Sequence, residues 1–361
     1  MVMKIQAVIG ANYGDEGKGL VSGCLAREAK EKHEKTLTVF YNGTMQRAHT
    51  FEGEIHRAMA AGTKYGSDTF YHRQFVIDPI SLWILQAKPI IHPLCRIILP
   101  CDVMHNRANE KKRGDARHGT CGFGLFEAVL RSLEPFHCVF AKDLQEPYSL
   151  YQKLKEIEMA FPAEYDELYN IDNFMKAAAY VTQNCQMSKI EDIAANYDTI
   201  IYEGGQGLML DQMNMDCFPH LTPSSTGCRN IADDAFLLKP KYIELYYVSR
   251  SYLTRHGAGP IIGECSKAEI NPDIIDTTNG ENEWQGALRF GKLDLDLMAK
   301  KITKDALYLQ RRYTTVNMVY TQLNYTDGKL ETVNGKENVH TAFHADHIFV
   351  SDQKDRMERL R

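Results

Sequence analysis

The stretch Ile9-Gly-Ala-Asn-Tyr-Gly-Asp-Glu-Gly-Lys-Gly-Leu20 decides how the rest of the chain is read. The apolar run Ile5–Ile9 before it reads as a short buried strand. A helical pattern (Leu20, Val21, Cys24, Leu25) starts near Lys18. Strand, glycine-rich turn and helix together aim backbone N–H groups and a helix N-terminus at phosphate. Gly10, Gly14, Gly17 and Gly19 permit tight backbone, and Lys18 adds a point charge. The spacing is not the ordinary phosphate-loop pattern, because Asp15 and Glu16 sit inside the turn. A carboxylate beside phosphate is repulsive unless it holds a metal or moves a proton, so Asp15 is a candidate for both tasks. The plainer alternative is a tight turn carrying a solvated acidic pair.

Working outward, strand-like runs recur at Leu37–Tyr41, Arg96–Leu99, Thr199–Tyr202, Lys241–Val248 and Thr315–Tyr320. Helical patterns lie between them at Leu20–Glu34, Ile80–Gln86, Phe123–Leu133 and Leu293–Tyr308. That alternation predicts an α/β fold, a large, mostly parallel sheet flanked by helices. No linker or repeat divides the chain, so residues 1–361 read as one domain with a mainly helical excursion over about 148–195. Lys111-Lys112-Arg113 reads as a solvated loop.

Composition narrows the class. A formal net charge of −5 argues against nucleic-acid binding through a broad basic surface. No apolar run approaches membrane-spanning length, and the N-terminus lacks a signal-peptide core. The nine cysteines are scattered and never spaced C-x-x-C, which suits free thiols in the cytoplasm.

Five more stretches carry chemistry. In Tyr41-Asn-Gly-Thr-Met-Gln-Arg-Ala-His-Thr50, His49 could act as an acid or stabilise developing negative charge; a lone loop histidine is more often structural. His118-Gly-Thr-Cys-Gly-Phe-Gly124 suits a second phosphate. Tyr202-Glu-Gly-Gly-Gln-Gly-Leu-Met-Leu-Asp211 puts Gln206 at a strand's C-terminal end, where open α/β sheets bind ligands. Thr254-Arg-His-Gly-Ala-Gly-Pro260 offers Arg255, and Asn282-Glu-Trp-Gln-Gly-Ala-Leu-Arg-Phe-Gly291 offers Arg289 for an anionic ligand.

Taken in order, the series resembles the adenylosuccinate synthetase family over residues 4 to 356. The resemblance rests on Gly14-Asp-Glu-Gly-Lys-Gly19, Ala48-His-Thr50, Glu203-Gly-Gly-Gln-Gly207, Thr254-Arg-x-Gly-Ala-Gly-Pro260 and Ser351-x-x-x-Asp-Arg356. It implies a two-step ligation: the 6-oxo group of a purine monophosphate attacks a γ-phosphate, and the amine of L-aspartate then displaces phosphate. Asp15 would take the N1 proton and ligate Mg²⁺, with the Ala48 carbonyl as second metal ligand. His49 would stabilise charge in phosphoryl transfer. The donor nucleotide would lie against Asn12, Tyr13, Gly14, Glu16, Gly17, Lys18, Gly19, His49, Thr50, Gln322, Asn324, Ser351 and Gln353. The acceptor would meet Asp15, Gln46, Arg47, Thr120, Cys121, Gln206, Thr222, Arg255 and His256. Aspartate would meet Glu283, Trp284, Gln285, Gly286 and Arg289. The family also implies a homodimer whose monophosphate site is completed by a partner arginine, for which Arg131 is the nearest candidate on a poor match.

Departures from the family pattern bear on the substrates. Members that use GTP carry Thr-Lys-Leu-Asp where this chain has Thr321-Gln-Leu-Asn324. A neutral Asn cannot offer two acceptors to guanine, but it can donate to N1 and accept from N6 of adenine, so the expected donor is ATP or dATP. Met45-Gln-Arg-Ala48 enlarges the side chains beside the acceptor, and Ala287 replaces a ribose-side arginine. These features resemble the phage branch, which joins aspartate to dGMP on the way to 2-aminoadenine DNA; IMP is the alternative. A rival of another class, a nucleotide switch without ligation, would be indifferent to aspartate, and Asp15 together with His49 argues against it. A nucleoside monophosphate kinase would need no aspartate loop.

Overall fold

The computed structural model describes residues 3–45, 48–276, 283–309, 313–339 and 345–360. Nine strands form one sheet in the order Glu358–Arg359, His347–Val350, Thr314–Thr321, Tyr242–Arg250, Lys4–Gly10, Thr199–Gly207, Thr36–Phe40, Asp68–Tyr71, Ile90–Ile91. Neighbours run parallel except for Glu358–Arg359, which pairs antiparallel with His347–Val350. The expected mostly parallel sheet flanked by helices is what the chain builds.

Alternation along the central strands sorts two faces. Ile5, Ala7 and Ile9 join Leu245, Tyr247, Met318 and Tyr320 in one core, closed by Ile231 and Ala235 of the Arg229–Leu238 helix and Met298 and Ile302 of the Leu295–Ala306 helix. Val8 points the other way, with Ile201, Val248 and Val319, against Val21, Leu25 and Ala26 of the Lys18–Glu31 helix. Period two in the strands therefore explains why a near-continuous apolar run serves both layers. Truncating a fully buried member such as Ile9 to Ala should cost about 2–5 kcal/mol. A separate core joins Phe40 and Tyr71 to the helices Pro79–Leu85, Pro100–Arg113, Pro147–Ala160 and Ile171–Asn184.

Two local expectations fail. Arg96–Leu99 makes only isolated bridges, Ile77 to Ile97 and Arg96 to Phe140, instead of a sheet strand. Pro100 then opens a helix, with Asp102 accepting from the Leu99 N–H at 2.8 Å, and proline at the first turn loses no helical hydrogen bond. Lys111-Lys112-Arg113 form the last turn of that helix and not a loop, where cations complement the helix dipole. Among the described residues no helix is long and apolar enough to cross a membrane.

The order of the strands also places the site. From the central Lys4–Gly10 strand the chain moves to one side for Thr36–Phe40 and later to the other for Tyr242–Arg250. At such a switch point the loops leaving the carboxyl ends part and leave a crevice.

Candidate active site

That crevice is a cleft of about 850 Å³, lined by residues following the carboxyl ends of the Lys4–Gly10, Thr36–Phe40, Thr199–Gly207, Tyr242–Arg250, Thr314–Thr321 and His347–Val350 strands. Its floor is the glycine-rich loop. Gly14 (φ 103°), Asp15 (φ 56°) and Gly17 (φ 98°) take left-handed backbone, which for Asp15 costs about 1–2 kcal/mol. Arg250 opposes that cost. Its Nε donates to the Asp15 main-chain carbonyl, and its Nη2 lies 2.7 Å from Asp276 Oδ2. Burial works against the Arg250 charge, but Tyr252, Asp276 and Asp15 outweigh it and hold the guanidinium above its ordinary value.

Glu16 turns inward. Its carboxylate accepts from the Asn12 N–H at 2.6 Å and from Lys18 Nζ at 3.0 Å, all within the buried loop. Thr321 Oγ1 donates to the Glu16 carbonyl at 2.7 Å, tying the loop to the neighbouring strand end. Asp15 by contrast projects outward, its side chain 31% exposed and 3.6 Å from His256 Nε2. One acid is structural and buried. The other faces the cleft.

His49 is the second reactive group brought there. Its Nδ1 lies 2.6 Å from the buried Glu203 carboxylate, which also accepts from Ser22 Oγ at 2.5 Å. That pairing favours a proton on Nδ1 and fixes the ring. A Cβ at Gly19 would stand 2.6 Å from His49 Cβ, so only glycine lets the histidine lie over the loop.

Of the residues singled out in the sequence, Tyr13, Gly14, Asp15, Glu16, Gly17, Lys18, Gly19, Ala48, His49, Thr50, Cys121, Gln206, His256, Trp284, Gln285, Gln322, Asn324 and Gln353 line the cleft together. Others lie behind it or are otherwise engaged. Asn12 donates to Ser249 Oγ at 2.9 Å, and Thr120 to Asn106 Oδ1 at 3.0 Å. Arg255 is buried, donating to the Pro260 and His220 carbonyls with its guanidinium 4.9 Å from the Tyr13 ring centre; burial lowers its pKa. Arg289 forks onto Glu264 at 2.8 and 2.7 Å and donates to the Gly257 and Gly259 carbonyls. Thr222 is buried, Ser351 Oγ donates to the Gln353 carbonyl, the Glu283 carbonyl accepts from Arg117, and Gly286 takes φ 71°. Gln46, Arg47 and Asn282 lie outside the described residues.

Arg131 corrects an expectation. Its guanidinium is buried, paired with Asp102 at 2.8 Å and donating to the Ile97 and His137 carbonyls, so it has no reach toward a second subunit. Sequence reasoning also missed Arg250, Tyr252 and Asp276, and the role of Glu203 behind His49. Arg250 was within reach, because it lies two residues past the predicted strand Lys241–Val248, at the edge where ligands collect.

A divalent cation would fit modestly. No group of three or more His, Cys, Asp or Glu side chains gathers among the described residues. Asp15 and Ala48 nonetheless line the same cleft, the pattern in which Mg²⁺ rests on a carboxylate and the oxygens of a bound phosphate.

Fold and cleft together define an α/β nucleotide-binding protein with a phosphate loop carrying its own acid. The sequence profile described as adenylosuccinate synthetase matches residues 7–306, and the chain belongs to that family of ligases joining aspartate to a purine nucleotide. It is 29% identical over 285 residues to adenylosuccinate synthetase of Ectopseudomonas mendocina, a match covering 70% of this chain but only 63% of that enzyme's length. With the enzyme of Neisseria meningitidis serogroup A the identity is 25% over 357 residues, 91% of this chain and 78% of that one. Among solved structures, fully ligated adenylosuccinate synthetase from Plasmodium falciparum aligns with a TM-score of 0.70 at 17% identity, covering 90% of this chain and 77% of that one. Succinoaminodeoxyadenylate synthetase of cyanophage S-2L, bound to dGMP and dATP, aligns with a TM-score of 0.64 at 14% identity, covering 99% and 96%. At those identities the two structures speak for the fold.

Proposed function

We propose that the protein joins L-aspartate to C6 of a purine nucleoside monophosphate, with dGMP as the favoured acceptor and ATP or dATP as the phosphate donor. The observation that carries this reading is one cleft faced by Asp15 and His49, with Asn324 on its wall.

In the first step Asp15 takes the N1 proton and O6 attacks the γ-phosphorus. The bond to the β-phosphate oxygen breaks, giving a nucleoside diphosphate and a 6-phosphoryl purine. Lys18 and the loop N–H groups would face the phosphates, and His49, held by Glu203 and carrying a proton on each ring nitrogen, would donate through Nε2 to the oxygen gaining charge. In the second step the aspartate amine attacks C6, phosphate leaves, and the amine sheds a proton. Mg²⁺, held by the Asp15 carboxylate and the Ala48 carbonyl, would supply charge neutralisation at the phosphates.

The donor assignment rests on Asn324, whose amide matches the adenine edge and lacks the second acceptor that guanine needs. The acceptor assignment draws on Gln46, Arg47 and Ala287, on an Asp15 that can accept from both N1–H and the 2-amino group, and on the full-length match to the cyanophage enzyme, which was solved with dGMP and dATP. On this reading the chain is of the phage branch, a homodimer acting in the cytoplasm. Conventional use of IMP is the second reading, favoured by the names of the matched relatives; Asp15 is compatible with either acceptor. Incubating the protein with L-aspartate and each of IMP, GMP and dGMP, crossed with ATP, dATP and GTP, and weighing the succino-product tests the proposal. Turnover confined to IMP with GTP would overturn both assignments.

A further inference from the structure

Two features are left without a task by the ligation chemistry: the basic last turn of the Pro100–Arg113 helix and the helical region that follows it. The helix carries two cations onto one indole ring, and the helical region braces one of them. Arg107 stands with its guanidinium carbon 5.6 Å from the Trp284 ring centre, and Lys111 Nζ lies at the same distance. One helical turn separates these two cations, so a single ring can meet both. Arg107 does more. Its Nε donates to the Gly122 carbonyl at 3.3 Å, its Nη1 pairs with Asp166 at 2.9 Å, and its guanidinium lies 4.9 Å from the Tyr169 ring centre. Asp166 and Tyr169 precede the Ile171–Asn184 helix, so the helical region fixes the arginine from behind.

The ring presses on the other candidate loop as well. A Cβ at Gly122 would stand 2.8 Å from the indole, and Gly122 holds φ 74°, so both space and backbone call for glycine there. Beside it, Arg117 Nη1 donates to the Glu283 carbonyl at 3.0 Å. Trp284 and Cys121 both line the cleft.

We propose that Trp284, clamped by Arg107 and Lys111 against Gly122, is a positioning residue that locks the 283–289 segment onto the 118–124 loop, so that acceptor and aspartate sites are set together. The proposal rests on the functional reading above for the names of those two ligands. Cation–π contacts with a partly desolvated indole are worth enough to change affinity by about tenfold when removed. Arg107 cannot be replaced by lysine, because one ammonium cannot serve Gly122, Asp166 and two rings at once.

The chain holds two tryptophans, so Trp83→Phe leaves Trp284 as sole fluorophore. In that background acrylamide should quench the emission weakly, and Arg107→Ala should raise the quenching constant severalfold. Adding dGMP alone should shift the emission. Steady-state kinetics of Trp284→Ala should show KM for aspartate and for the acceptor both raised about tenfold, with KM for the triphosphate unchanged. Trp284→Phe should recover part of the loss, and Gly122→Ala should reproduce it. Unchanged quenching in Arg107→Ala, or a Trp284→Ala enzyme whose aspartate and acceptor KM values stay at wild type, would overturn the proposal. A wild-type protein that makes no succino-product would sink the functional reading instead, while the quenching measurement still judges the clamp.

Discussion

The glycine-rich loop and the Thr321–Asn324 turn face the same cleft but are built in opposite ways. The loop is largely buried, strained at Asp15, and held by its own Glu16 and by Arg250 and Thr321 from two neighbouring strands. Asn324 sits on a three-residue turn with its side chain exposed. On the proposed reading, the part that performs chemistry is over-determined by packing, and the part that selects a base is a side chain on a rim that can change without disturbing the floor.

The comparison can be broken most sharply at Asp15. Asp15→Asn keeps the shape and removes the base, so turnover should fall by about 10³-fold while triphosphate affinity, read by calorimetry, changes little. Normal turnover would show that another group takes the proton. Next is Glu203→Gln, which leaves His49 a hydrogen bond without the charge; kcat should fall by about 10²-fold with KM values largely kept. On the rim, Asn324→Asp restores two acceptors for guanine. The ratio of kcat/KM for GTP over ATP should rise by about 10- to 100-fold, with kcat on the preferred donor retained. An unchanged ratio would place donor selection elsewhere.

Smaller effects come from two histidines, His92 buried and His220 partly buried. His92 and His220 titrate below the ordinary imidazole value, chiefly through burial and then through neighbouring positive charge. The folded state therefore binds those protons less well than the unfolded chain. Their stabilisation is complete above about pH 6.5 and fades as pH falls from there toward the folded values, so Tm should drop by a few degrees between about pH 7 and 5.5. His220→Gln should shrink that drop. Least affected should be Cys121: burial raises its thiol to about 11, so alkylation at neutral pH should be slow despite its place in the cleft.

The legibility of the sequence follows the same division. Ile5–Ile9 and the loop after it were readable because local sequence alone dictates a buried strand, a tight turn and a helix. Arg96–Leu99 was misread because its apolar pattern packs beneath a helix cap, and periodicity cannot tell that from a sheet strand. The four-residue strands Asp68–Tyr71 and His347–Val350 were too short to show a period. Partners distant in sequence were invisible. Glu203 reaches His49 across 154 positions, and Arg250 reaches Asp15 across 235. Arg255 and Arg289 were read from charge as ligand-facing, whereas the fold turns both onto carbonyls and Arg289 also onto Glu264.

The central claim concerns which purine and which donor this cleft takes. It is tested most directly by competition: equal dGMP and IMP with L-aspartate and ATP, run beside the same mixture with GTP, the two succino-products being separated by mass. The account predicts a majority of the 2-amino product with ATP and little turnover with GTP. A majority of adenylosuccinate formed only with GTP would contradict it.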